Sequence, residues 1–308
     1  AIAGENGVTI NGNITKTTNK ISVNGTIDVA GHALYLAGNG TTNISNGACV
    51  KGDAGIEIRA GVLNINGGTV ESTGTYSVPS ANGNGTTASG AALIVAEHTT
   101  NQGITVNVNS GNIKAASAGK AIAVSDPQNT NGNDVKLNVA GGNVVGGIQV
   151  EESIETAKPV AVTGGTFSSD VRAYTADNTP FAFTVNEGEY EYYVGEETIQ
   201  NAAKHLSAGQ QLWIKKGTVT LMGVPAGVTV YPEHDTVVFV NGKDISNEFD
   251  GYTVPQSSGY YYYQPTTDTK TTDTKGSPKT FDAGIALYVG MALTSAAGVA
   301  FVGKKRED

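Results

Sequence analysis

The sequence predicts an all-β chain whose larger part is a parallel β-helix, followed by a small β-rich module, a spacer and one C-terminal apolar segment. Three observations predict it. Glycine makes up 41 of the 308 residues and charged residues only 15%, against a usual quarter. That composition fits a turn-rich β protein better than a helical enzyme. One pattern of alternating apolar residues, ending in a glycine or asparagine corner, recurs along the first half of the chain. An uncharged apolar run stands near the C-terminal end, followed by a basic cluster.

The recurring pattern is clearest at Val62–Val70 (VLNINGGTV) and returns at Ile104–Ile113, Val135–Val144 and Val160–Phe167. Weaker copies precede it at Val8–Ile14, Ile21–Ile27 and Asn43–Val50. Each copy reads as a period-two strand, a tight corner and a second short strand. Glycine and asparagine tolerate the positive φ that the corner requires. Shorter apolar strands fall between copies, at Ala33–Leu36, Gly55–Ile58, Ala91–Val95, Ala121–Val124 and Gly147–Val150. Repeats about 20 residues apart, each with a few short strands, describe a coil whose turns stack about 4.8 Å apart around inward Val, Ile and Leu. Two polar insertions, Tyr76–Ser89 and Ser125–Asp134, should loop out from one corner without disturbing the stack. A β-sandwich is the alternative, but it would not repeat one corner chemistry so regularly.

These copies, closed by Gly165-Thr166-Phe167-Ser168-Ser169-Asp170, resemble the right-handed β-helix surface proteins of gut Firmicutes, which are pectate-lyase-like. The resemblance covers residues 7–175 and implies a right-handed parallel β-helix over 1–175. It implies no particular activity, since the fold is shared by enzymes and by surface proteins without known chemistry.

Beyond Thr175 the composition changes. Phe181–Val185, Tyr190–Val194, Leu212–Lys215, Val219–Met222, Val228–Tyr231 and Thr236–Val240 read as strands. Thr198–Leu206 reads as a short helix ended by Gly209, and Asn241-Gly242 as a hairpin turn. Residues 176–254 then form a small β-rich module, or a cap on the coil, whose open edge would otherwise invite pairing with other chains. Residues 255–276 hold the run Tyr260–Tyr263 and Thr/Asp/Lys repeats. Such a tract cannot bury a core and reads as a disordered spacer. The tyrosine run is alternatively the last strand of the module.

Ala283–Gly303 is apolar and uncharged. At about 1.5 Å per residue it is long enough, as one transmembrane helix, to cross a hydrocarbon layer about 30 Å thick. A buried core helix would instead show a polar face. Lys304, Lys305 and Arg306 follow at once; they read as a stop-transfer cluster that keeps the rest of the chain outside. Just upstream stand Ser277, Pro278, Lys279, Thr280 and Phe281. Taken with the span and basic tail over 277–308, they resemble the Leu-Pro-x-Thr-Gly sorting signal of Gram-positive surface proteins. The resemblance implies a sortase partner that cuts after Thr280 and joins it to the cell wall. Ser277 replaces the leucine, and Phe281 replaces the glycine. If Phe281 blocks cleavage, the span itself anchors the protein in the membrane. Both routes place the chain outside the cell, held by its C-terminal end. Its opening residues, Ala1-Ile2-Ala3-Gly4, read as a processed or trimmed N-terminus.

A β-helix lyase or hydrolase needs clustered carboxylates, or a bound cation with an Arg or Lys base. Asp28, Asp53, Glu57, Glu71 and Glu97 are scattered, and Arg59 and Arg172 are the arginines of the helical part. Glu151, Glu152 and Glu155 form the densest acidic group and read as a solvated loop. His32, His98, His205 and His234 lack metal-ligand spacing. Trp213 and the tyrosines read as packing, with a glycan-stacking platform as the alternative. Cys49, the single cysteine, reads as a small buried hydrophobe. No catalytic, metal or cofactor-binding residue is assigned and no cofactor is expected. The net charge of −9 disfavours nucleic acid. The expected function is therefore a non-catalytic, adhesin-like protein displayed on a stalk, binding glycan or a host surface protein. The alternative is a carbohydrate-active enzyme, a polysaccharide lyase or glycoside hydrolase whose residues converge only on folding.

Overall fold

A computed structural model describes residues 2–4, 8–10, 20–78, 88–96, 102–126 and 134–256. The spacer from residue 257, the Ser277–Phe281 motif, the apolar run and Lys304, Lys305 and Arg306 lie outside the described residues, as do Glu97 and His98. Among the described residues no helix is long and apolar enough to cross a membrane.

The chain is mostly strand. In order come β1 (Ile2–Gly4), β2 (Val8–Ile10), β3 (Lys20–Val23), β4 (Thr26–Val29), β5 (His32–Leu36), β6 (Thr41–Ile44), β7 (Cys49–Gly52) and β8 (Ala54–Ile58). Then follow β9 (Gly61–Ser72), β10 (Ala91–Ala96), β11 (Ile104–Lys114), β12 (Lys120–Ser125), β13 (Val135–Val139), β14 (Asn143–Val145), β15 (Ile148–Val150), β16 (Val160–Val162) and β17 (Gly165–Phe167). The remainder holds β18 (Phe181–Asn186), β19 (Glu189–Val194), helix α1 (Glu196–His205), β20 (Gln211–Lys216), β21 (Thr218–Leu221), β22 (Thr229–Pro232), β23 (Val237–Val240), β24 (Lys243–Asp244) and β25 (Tyr252–Thr253).

Among β1–β17 every pairing is parallel, and the strands form three rows. The first row is β3-β6-β9-β11-β13-β16, and the second is β1-β4-β7-β9-β11-β14-β17. The third is β2-β5-β8-β10-β12-β15. From β3 onward the chain visits the rows in turn. Apolar residues stay in register along each one. Ile27, Val50, Val70, Ile113, Val144 and Phe167 make one buried column of the second row. Leu36, Ile58, Val95, Val124 and Val150 make another in the third. Each such side chain contributes roughly 1.5–3 kcal/mol by leaving water, so the columns supply the main stabilising term.

Two expectations are corrected. The corner between the first and second rows is not a break in β9 or β11, because each runs through it as one bent strand. Gly68 makes this possible in β9: its φ is +73°, and a Cβ there would lie 2.6 Å from the Ala48 carbonyl oxygen. The two insertions also leave from different corners. Tyr76–Ser89 lies between β9 and β10, entering the third row, whereas Ser125–Asp134 begins at the end of β12 and leaves it. The first insertion is pinned at its base, where Ser77 N–H donates to Ser89 O at 3.3 Å and the two hydroxyls are 3.0 Å apart.

After β17 the pairing changes sense. β19 lies antiparallel on β17 and on β18, covering the β17 edge. This hairpin faces two cores. Phe181 and Val194 pack with the columns above. Ala182 and Tyr193 pack with Ile199, Leu212, Val219 and Val238. Parallel pairing then resumes between β20 and β22 and between β21 and β23, a feature the sequence did not announce. Helix α1 starts at Glu196 and ends at His205, with Leu206 extended, so Gly209 lies past its end. Asn241 and Gly242, with φ of 50° and 86°, form the expected turn between β23 and β24.

Candidate functional site

The outer face of the first row carries a side-chain ladder. Asn64 Nδ2 donates to Asn43 Oδ1 at 2.9 Å, Asn107 Nδ2 to Asn64 Oδ1 at 2.9 Å, and Asn138 Nδ2 to Asn107 Oδ1 at 3.0 Å. Asn109 donates to Asn66 beside it at 2.8 Å. An amide has two N–H donors and two acceptor lone pairs. Asn64 and Asn107 each spend one of each on the ladder, so half of their hydrogen-bonding capacity remains. Asn107→Ala breaks two rungs and is expected to cost about 1–2 kcal/mol. Asn109→Ala, with one bond, should cost about half as much, as urea unfolding would measure.

The adjoining second row explains two of the scattered carboxylates. Asp28, Lys51, Glu71 and Lys114 are register partners on β4, β7, β9 and β11, so signs alternate along the row. Lys51 Nζ is 3.5 Å from Glu71 Oε1. Opposite charges facing across strands stabilise a sheet by a few tenths of a kcal/mol, so Asp28 and Glu71 support the face. Cys49 faces this outer side between Thr26 and Thr69, half-buried, while its neighbours Ala48 and Val50 go into the core. That corrects its expected burial: strand parity sends alternate residues to opposite faces.

The third row holds a constellation that sequence reasoning missed. Glu57, on β8, is 0% exposed, and its Oε1 accepts from Arg59 Nη1 at 3.1 Å. Its other oxygen, Oε2, lies 3.3 Å from His32 Nδ1. Tyr35 is the cross-strand partner of Glu57. The Tyr35 phenol is pushed up by burial, a rise opposed by Arg59 and reinforced by Glu57. The outer face here is covered as well as the inner: Ala54, Ile94, Ala96 and Ala123 form a third, small core with Tyr76 packed on it. The carboxylate–arginine pair is thus enclosed, and no polysaccharide reaches it in this arrangement.

Glu151, Glu152 and Glu155 line one concavity with Tyr76, Val78 and Gln149. Glu151 Oε2 accepts from the Asp126 backbone N–H at 2.6 Å, while Glu152 and Glu155 are exposed on a short 3-10 turn. His205 and His234 are both exposed; His234 lies against Phe249 with centroids 4.1 Å apart and the rings tilted by 34°. Among the described residues no group of His, Cys, Asp and Glu is arranged to hold a metal ion. Arg172 Nε donates to Asp170 Oδ2 at 2.8 Å. Burial alone would raise the Asp170 carboxyl, but its bonds from Arg172 outweigh that and hold it below its ordinary value.

Trp213 is sandwiched between Phe183 and Tyr231, at 5.2 and 5.1 Å with interplanar angles of 10° and 11°. Both faces of the indole are occupied by neighbouring rings, so Trp213 packs the sheet and offers no open face to a sugar. Two features therefore stand out: a ladder of half-satisfied amides on the surface, and an ion pair buried behind a covered sheet. No protein-family model, curated protein or solved structure matches the chain.

Proposed function

We propose that the chain is a non-catalytic surface protein, displayed outward by its C-terminal end, whose polar face binds glycan or a host surface protein. In this reading β1–β17 are the coils of a right-handed parallel β-helix, and the region around β18–β25 caps it. The cyclic visiting of three parallel rows supports the coil, and right-handed crossover is the general preference between parallel strands. The carrying observation is the Asn43–Asn64–Asn107–Asn138 ladder, which repeats spare donors and acceptors at strand spacing, about 4.8 Å. Enclosure of Glu57 favours this reading over a carbohydrate-active enzyme, because hydrolysis or elimination needs a carboxylate or base within reach of substrate. The order of motif, apolar run and basic cluster over 277–308 supports the anchor.

The test is expression of the full chain, with an export signal, in a Gram-positive host. Protease added to intact cells should remove it, and adhesion to glycan-coated beads or epithelial cells should rise several-fold. Mass spectrometry should find either Thr280 joined to peptidoglycan or an intact Lys304-Lys305-Arg306 end in the membrane fraction. A chain wholly protected from protease, or adhesion equal to that of empty cells, would overturn the reading.

A further inference from the structure

A concavity of about 580 Å³ opens where the corners Gly141-Gly142 and Gly165-Thr166 face the β18–β19 hairpin and α1. Its size falls in the range of small-molecule sites, roughly 300–1,000 Å³. It is lined by polar side chains of fixed orientation. Tyr193, 6% exposed, donates its hydroxyl proton to Glu191 Oε2 at 2.6 Å and lies 3.1 Å from Thr184 Oγ1. Burial first, and then the bond to Glu191, push the Tyr193 phenol well up, so it remains a donor. That bond orients the carboxylate and leaves Oε1 as an acceptor.

On α1, His205 Nδ1 lies 2.7 Å from the Asn201 carbonyl oxygen. A carbonyl only accepts, so Nδ1 carries the hydrogen, and Nε2 of the neutral ring keeps its lone pair. Gln210 Oε1 accepts from Ser207 N–H at 2.7 Å, which leaves the Gln210 amide nitrogen as a donor. Ala202 and Leu206 supply apolar wall between these groups, and among the described residues no lysine or arginine lines the cavity. The geometry combines the Glu191 carboxylate, the His205 imidazole and the side-chain amides of Gln210, Asn186 and Asn201 around a small apolar surface. Its complement is a ligand with several O–H donors, a nonpolar ring face and no negative charge.

We propose that this pocket binds a neutral sugar unit, with Glu191 Oε1 and His205 Nε2 accepting from its hydroxyls. The proposal rests on the glycan-binding reading above and adds to the ladder face a second sugar site beside α1. The experiment uses the full chain in a zwitterionic, sugar-free detergent. Methyl glycosides of glucose, galactose, mannose and N-acetylglucosamine are titrated and followed by saturation-transfer NMR, with glucuronic acid as the anionic probe. At least one neutral glycoside should bind, and glucuronic acid should bind more weakly. Glu191→Gln keeps an acceptor for Tyr193 but removes the charge, and should weaken binding at least tenfold. His205→Leu, at an exposed helix position, should weaken it severalfold, and serves alone if the first variant does not fold. Lys243→Ala, on β24 and outside both the pocket and the ladder, should leave binding unchanged.

Silence from all four neutral glycosides, or glucuronic acid binding at least as tightly, would overturn the proposal. So would wild-type affinity in Glu191→Gln or, should that variant not fold, in His205→Leu. If adhesion of displaying cells persists under such a result, the pocket assignment fails while the surface reading stands. Glycoside binding without adhesion supports the pocket and counts against display.

Discussion

Replacing Arg59 by methionine is expected to destabilise the protein by about 3–5 kcal/mol at neutral pH, the usual penalty for removing one partner of a buried ion pair. Glu57 has no exposed surface, and its Oε1 is held by Arg59. Methionine has similar bulk and no charge, so the loss reports electrostatics more than packing. Taking the guanidinium away leaves a carboxylate with the His32 ring 3.3 Å away and Tyr35 across the strand. A buried carboxylate without its cation favours the neutral form. In the variant the folded state then holds a proton more tightly than the unfolded state, so its stability rises as pH falls. The deficit should be full at pH 7.5 and should narrow as the pH approaches the ordinary glutamate range, about 4.3. Urea unfolding followed by circular dichroism at several pH values measures it. A loss under about 1 kcal/mol, or one that does not change with pH, would contradict an electrostatic role for the pair.

Phe167→Ala should cost a similar amount, about 3–5 kcal/mol, through lost burial and the cavity left behind. Phe167 is 0% exposed and ends the column that begins at Ile27. Its strand β17 is also the last parallel strand before the antiparallel hairpin. The column lies in the first core, whereas Trp213, the single tryptophan, stands on β20, whose Leu212 and Ile214 belong to the second. The circular-dichroism midpoint should therefore fall further than the Trp213 fluorescence midpoint. Equal shifts would mean that the two cores unfold as one unit, and a negligible loss would mean that the column tolerates a void at its end.

Much of the strand pattern was legible because period-two alternation and a glycine corner leave a local trace. Asn43, Asn64, Asn107 and Asn138 occupy equivalent places in successive copies, so their ladder was implicit in the repeat. Glu57 reads as a scattered carboxylate because its importance depends on what covers the outer face. A signal existed: Ala91–Ala96 and most of Lys120–Ser125 are apolar or small at both parities, as is Ala54–Ile58 apart from Glu57 itself, which marks strands buried on both faces. The pairing of β20 with β22 and of β21 with β23 left no such trace, because the segments joining them share no repeated corner. The pocket beside α1 was hidden for a different reason. Glu191, Tyr193, His205 and Gln210 come from a hairpin, a helix and a loop, and meet only once the second core forms.

The corners have a consequence for how such a surface changes over generations. Asn43 and Asn64 are 21 residues apart in the chain, Asn64 and Asn107 are 43 apart, and both pairs meet at 2.9 Å. A side chain's place on the face is set by the row it joins, not by the length of chain that precedes it. Tyr76–Ser89 and Ser125–Asp134 can therefore lengthen, shorten or diverge while the ladder keeps its spacing. What lies at the corners is free to drift, and the amide ladder beside them keeps its geometry.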